Sequence, residues 1–83
     1  MDQITRTQRQ LGAAIRRSRK QSGLTQAALG SRINKRQATI SNLESADGGT
    51  TLETLFAVLS ALDLELVVRP RSKGGSARLE DIF

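Results

Sequence analysis

Apolar residues recur along this chain at spacings of three and four, and small polar residues interrupt them at short intervals. Leu11, Ala14, Ile15 and Ser18 share one face of a helix predicted from Gln8 to Gln21, with Thr7 placed to cap it. Ser22-Gly23 ends that helix, the glycine supplying a left-handed stop. Thr25 caps a second helix, Gln26 to about Ile33, whose inward residues are Ala28, Leu29 and Ile33. Asn34 follows, a residue that tolerates positive φ in a tight turn. A third helix runs from about Arg36 to Ser45 with Ile40 and Leu43 inward. After the loop Ala46-Asp47-Gly48-Gly49, Thr50 and Glu53 stand at capping-box spacing. They precede a fourth helix, about Thr51 to Ala61, with Leu52, Leu55, Phe56, Leu59 and Leu62 at core spacing.

Beyond Asp63 the pattern changes from helical to alternating. Leu64-Glu65-Leu66-Val67-Val68-Arg69 reads as a strand that Pro70 stops, with an extension or fraying of the fourth helix as the alternative. A lone strand in a helical chain leaves a row of backbone groups unpaired. Pairing with the same strand of a second copy across a two-fold axis removes that cost. Leu64, Leu66 and Val68 would then lie over the helices, and Glu65 and Arg69 would pair on the opposite face. The chain thus divides into a flexible N-terminus (1–5), a helical body (6–63), a dimerisation strand (64–70) and a flexible tail (71–83) that contains SKGGS and then ARLEDIF.

The second and third helices, joined by a short turn, form a helix-turn-helix. Leu29, Ile33, Ile40 and Leu43 pack inward and hold the pair at a steep angle, so the third helix protrudes far enough to enter a major groove. Its outward residues are Arg36, Gln37, Ala38, Thr39, Ser41 and Asn42, a set free of the Glu that solvated helices favour. Gln and Asn pair an adenine edge through two hydrogen bonds, and Ala or a Thr methyl packs on a thymine methyl. These six residues are the candidate base readers.

Composition narrows the class. Eighty-three residues make one small domain, nearly without aromatics (Phe56 and Phe83), so its core must be aliphatic. The absence of Cys and His removes disulfides, thiolate metal sites and the commonest general base. With no Gly-rich phosphate loop and no convergent carboxylates, the sequence points away from an enzyme and calls for no cofactor and no metal. No apolar run suits a membrane helix and no signal peptide opens the chain, so the expected location is the cytoplasm. The net charge of +5 is uneven: residues 1–45 carry nine basic and two acidic side chains, residues 46–83 four basic and six acidic. A basic half suits a polyanion, although charge alone leaves a solvated basic helix open. Arg16, Arg17, Lys20, Lys35 and Arg36 are the candidates for phosphate contact.

TQAALGSRINKRQATISNLE, residues 25–44, resembles the helix-turn-helix of the XRE, or lambda-repressor-like, family, in the pattern TQ-xx-L-(A/G) and then IS-xx-E. The resemblance covers roughly residues 8–62 and implies a mainly α domain of four to five helices. Two positions depart from it: Asn34 replaces the usual turn glycine, and Lys35 replaces a usual Ile or Val. It implies that Thr25 caps and Gln26 binds a DNA phosphate beside Arg17, Lys20 and Lys35, and that Arg19 and Glu44 form a structural ion pair. QATISNLE followed by TTLETLFAVLSALDLELVV is similar to HipB-type antitoxins. That likeness implies a homodimeric autorepressor at palindromic operators in a bacterial cytoplasm, over the nucleoid. It also implies a type II toxin–antitoxin role, neutralising a HipA-type serine/threonine kinase. Leu64, Leu66, Val67 and Val68 would join the dimer, and Leu79, Ile82 and Phe83 would dock on the toxin or belong to an unstructured terminus. A stand-alone XRE-type regulator or phage repressor is the alternative.

Overall fold

The computed structural model describes residues 2–71. Four helices follow one another: α1 (Gln8–Gln21), α2 (Gln26–Arg32), α3 (Gln37–Ser45) and α4 (Leu52–Ala61). Local chemistry starts them. The Thr7 hydroxyl accepts the Gln10 N–H at 3.0 Å and the Thr25 hydroxyl accepts the Ala28 N–H at 3.0 Å, each satisfying a donor of the first turn. α3 starts differently, with Arg36 extended at its N-cap and no side-chain cap bond.

Left-handed residues stop the helices. At the end of α1, Gly23 has φ +74 and the Leu24 N–H returns to the Arg19 carbonyl at 3.1 Å. α4 ends in the same way, with Asp63 at φ +59 and the Leu64 N–H on the Leu59 carbonyl at 2.7 Å. Between α2 and α3, Asn34 turns the chain at φ +58 and the Lys35 N–H closes on the Gly30 carbonyl at 2.8 Å. None of the described helices is long and apolar enough to cross a membrane.

Ile15, Leu29, Ile40 and Val58, one from each helix, are fully buried at the centre, with Leu43 and Leu62 beside them. α1 and α3 approach closely at Gly12, where a Cβ would sit 2.5 Å from the Glu44 carbonyl oxygen. That crossing admits no side chain.

Two expectations need correction. The α4 pattern was phased from Leu52, but Leu52 is 71% and Phe56 51% exposed, while Thr54 and Val58 face the core. A helix turns about 100° per residue, so the stripe Thr54–Val58–Leu62 lies on a different side from Leu52–Phe56. The cap of α4 is Thr51 and not Thr50: the Thr51 hydroxyl oxygen accepts the Thr54 N–H at 3.1 Å, and no Thr50–Glu53 box forms. Thr51→Ala is therefore expected to cost about 1 kcal/mol in chemical denaturation, and Thr50→Ala well under half of that. The strand expected over residues 64–70, whose pairing lies with a second copy, is not seen in the single chain. Leu64, Leu66, Val67 and Val68 are 37%, 50%, 66% and 92% exposed, because a strand gains its ladder from a neighbour and this segment has none beside it.

Candidate nucleic-acid interface

α3 has two unlike sides. Ile40, Leu43 and Glu44 are buried. Gln37, Ala38, Asn42 and Ser45 are exposed and Ser41 is half-buried, which defines one outward face at alternating intervals of one and three. Thr39 is also half-buried and sits at the margin of that face, nearer the core. Arg36 and Lys35 are exposed just before the helix begins. Ser45 was not singled out from the sequence, although counting four residues on from Ser41 reaches it. Its hydroxyl donates to the Ser41 carbonyl at 2.8 Å, and Asp47 Oδ2 lies 3.0 Å away.

Beneath this face lies a chain of hydrogen bonds. Arg19 on α1 and Glu44 on α3 are buried together, with side chains 8% and 3% exposed. Arg19 Nε donates to Glu44 Oε2 at 2.6 Å, and its Nη2 donates to Glu44 Oε1 at 3.1 Å. The remaining Nη1 donates to the Leu24 carbonyl at 2.7 Å, so the guanidinium also holds the α1–α2 turn. Hydrogen bonding to Glu44 pushes the Arg19 pKa up, against the opposing effect of burial. No buried side-chain polar atom among the described residues lacks a partner.

The chain continues outward through Gln26, the first residue of α2. Its Nε2 donates to Glu44 Oε1 at 3.1 Å, and its Oε1 accepts from Gln37 Nε2 at 3.3 Å. The outermost amide of the α3 face is thereby tied, through Gln26, to the buried ion pair. Each glutamine nitrogen carries two hydrogens. One stays available on Gln26 and one on Gln37, together with the Gln37 carbonyl oxygen. Sequence reading missed this link, because nothing local marks two glutamines eleven residues apart as partners.

The structure brings Arg19, Gln26, Gln37 and Glu44 together at the helix-turn-helix. Thr25 is exposed beside them, its oxygen engaged in the cap and its hydroxyl proton left to donate. Arg16, Arg17 and Lys20 are exposed along α1. Leu64, Leu66, Val67 and Val68 belong to a separate surface that follows α4. Leu79, Ile82 and Phe83 lie outside the described residues.

The fold is shared with known proteins. The helix-turn-helix family model (HTH_3) matches residues 15–68. Antitoxin HipB of Escherichia coli K12 is 42% identical over 59 residues, which span 71% of this chain and 67% of that relative. A solved HipA–HipB–O2–O3 complex has a chain that superposes with a TM-score of 0.76 at 38% identity, covering 83% of this chain and 97% of that one. A HipB–O4 20mer complex gives the same TM-score of 0.76 and the same identity of 38%, again covering 83% and 97%.

Proposed function

We propose a function on one premise: this chain belongs to the helix-turn-helix family, among the relatives of antitoxin HipB. It is a sequence-specific DNA-binding repressor that works as an antitoxin, binding palindromic operators as a homodimer and neutralising a HipA-type serine/threonine kinase. The observation that carries this reading is the outward face of α3, small and amide-rich, with Gln37 held by Gln26 over a buried ion pair. A reader must keep its donors and acceptors in fixed positions to discriminate bases, and hydrogen bonds from behind supply that order.

In this reading the body, residues 6–63, binds the duplex. Gln37, Ala38, Ser41 and Asn42 meet base edges, with Arg36 at the entrance of the helix and Thr39 at its margin. Arg17, Lys20, Thr25, Gln26 and Lys35 hold phosphates. Residues 64–70 pair the two copies, and Leu79, Ile82 and Phe83 in the segment 71–83 dock the kinase. The protein acts in the bacterial cytoplasm, at the nucleoid.

The experiment is selection of a preferred duplex from a random library, followed by titration of single-base variants against the wild-type chain and Gln37→Ala. The substitution is expected to cost about 1–3 kcal/mol on the preferred duplex and to flatten discrimination at one position of each half-site. Selectivity left intact by Gln37→Ala would remove Gln37 from the readers. Failure of the wild-type chain to enrich any duplex would overturn the function.

A further inference from the structure

Charge changes sign along the chain. After the basic residues of α1–α3, residues 46–68 carry four carboxylates, Asp47, Glu53, Asp63 and Glu65, and no lysine or arginine. Three of these acids frame one side of α4. At about 100° per residue, Leu52, Phe56 and Ser60 form a single stripe along the helix, with Glu53 beside its first turn. Leu52 and Phe56 are both more than half exposed. At its far end the stripe runs into an open cavity of about 350 Å³, walled by Phe56, Leu59, Leu64 and Leu66 and edged by Asp63 and Glu65. No hydrogen bond or ion pair among the described residues engages the carboxylates of Glu53, Asp63 or Glu65.

Single exposed apolar residues are ordinary on a surface, but two in one stripe that opens into an apolar cavity form a patch. Its carboxylate frame selects the occupant. Phosphates are repelled, which excludes a duplex. A second copy fits no better. Two α4 stripes laid face to face, parallel or antiparallel, bring carboxylates against carboxylates with no cation between them. A basic amphipathic helix satisfies both features. Apolar residues at its i and i+4 positions pack along Leu52 and Phe56. Arginine or lysine side chains on either flank, about 15 Å apart, reach Glu53 at one end and Asp63 at the other. At the cavity end the aliphatic stem of such a side chain lies on Leu66 and the Phe56 ring while its head meets Asp63 and Glu65.

We propose that the Leu52–Phe56 face of α4 docks a basic amphipathic helix of another protein, one of whose cationic side chains enters the cavity between Phe56, Asp63 and Glu65. The inference stands apart from the DNA reading. It also goes beyond the kinase docking assigned to Leu79, Ile82 and Phe83, since it concerns a different surface. The two halves of the chain then favour different classes of partner, nucleic acid for the basic one and a cationic protein for the acidic one.

The test titrates the full chain, followed by nuclear magnetic resonance, with a synthetic helical peptide of about four turns. The peptide carries leucines at i and i+4 and an arginine on each flank, and its control has glutamates in place of the arginines. The arginine peptide is expected to shift the backbone signals of Leu52, Phe56, Asp63 and Glu65, and the glutamate peptide to leave them in place. Phe56→Ser should weaken the arginine peptide about tenfold, and so should Asp63→Asn combined with Glu65→Gln. Leu52→Ser reads the same stripe should Phe56→Ser fail to fold. Equal binding of the two peptides, variants that bind as the wild-type chain does, or shifts confined to α1–α3 would each overturn the proposal. So would a Leu52→Ser chain that loses its self-association in sedimentation, which would give the face to a second copy. Shifts of Phe56 and Asp63 on adding a duplex alone would give it to nucleic acid, with the same consequence.

Discussion

Arg19→Ala is expected to destabilise the domain by about 3–5 kcal/mol, the range for removing one partner of a buried ion pair. The magnitude follows from what is stranded. Glu44 keeps only the Gln26 amide, and the Leu24 carbonyl loses its donor at the α1–α2 turn. Small domains hold only about 5–15 kcal/mol in total, so most of the margin goes. Equilibrium denaturation measures it, and a loss under about 1 kcal/mol would mean the pair is solvated in practice. The double variant Arg19→Met with Glu44→Leu separates pairing from packing. It should recover most of the loss, since apolar replacement of a buried pair is often neutral. It should still bind duplex poorly, because Gln26 has lost the carboxylate that anchors it behind Gln37. The pH dependence has a definite sign. A base whose folded-state pKa is raised contributes stability below its unfolded pKa and loses it only as pH climbs through the folded value. Hydrogen bonding to Glu44 raises Arg19 above an already high value, so its titration leaves stability flat between about pH 7 and 10.

Short-range chemistry was legible in the sequence. The starts of α1 and α2 rest on threonine hydroxyls three residues from the N–H they accept, and the stops at Gly23 and Asn34 rest on single-residue backbone preference. No distant residue is needed for either, so the four helices and the helix-turn-helix could be placed from the letters. The phase of α4 could not. Of the five expected residues Leu59 and Leu62 are buried and Leu55 packs on the core, but packing against the core cluster buries Val58 in place of Leu52 and Phe56. Adjacent threonines at 50 and 51 gave two caps one residue apart, and the loop path settled on Thr51. The Gln26 link to Glu44 and Gln37 spans eighteen and eleven residues and exists only once α2 and α3 are packed. LELVVR shows a different limit. Its alternation encodes a preference that one chain cannot express, since the backbone partners of a strand must come from elsewhere.

Duplex affinity is expected to collapse with salt, and the size of the fall follows from the assigned cations. Arg17, Lys20 and Lys35 are exposed, unlike Arg19, which is buried against Glu44. Three neutralised phosphates per copy give six per dimer. Each contributes about −0.9 to the slope of log affinity against log salt, so the slope should be about −5. Between 50 and 200 mM salt the preferred duplex would then lose about a thousandfold in affinity. Lys35→Ala, removing one contact per copy, should make the slope shallower by about 2 while weakening all duplexes alike. Gln37→Ala should do the reverse, leaving the slope in place and erasing a base preference. The crossing of these two effects separates holding from reading, which neither substitution achieves alone. A slope that Lys35→Ala leaves untouched would return that residue to solvent, and a slope near zero for the wild-type chain would leave α3 with no phosphate frame to hold it in a groove.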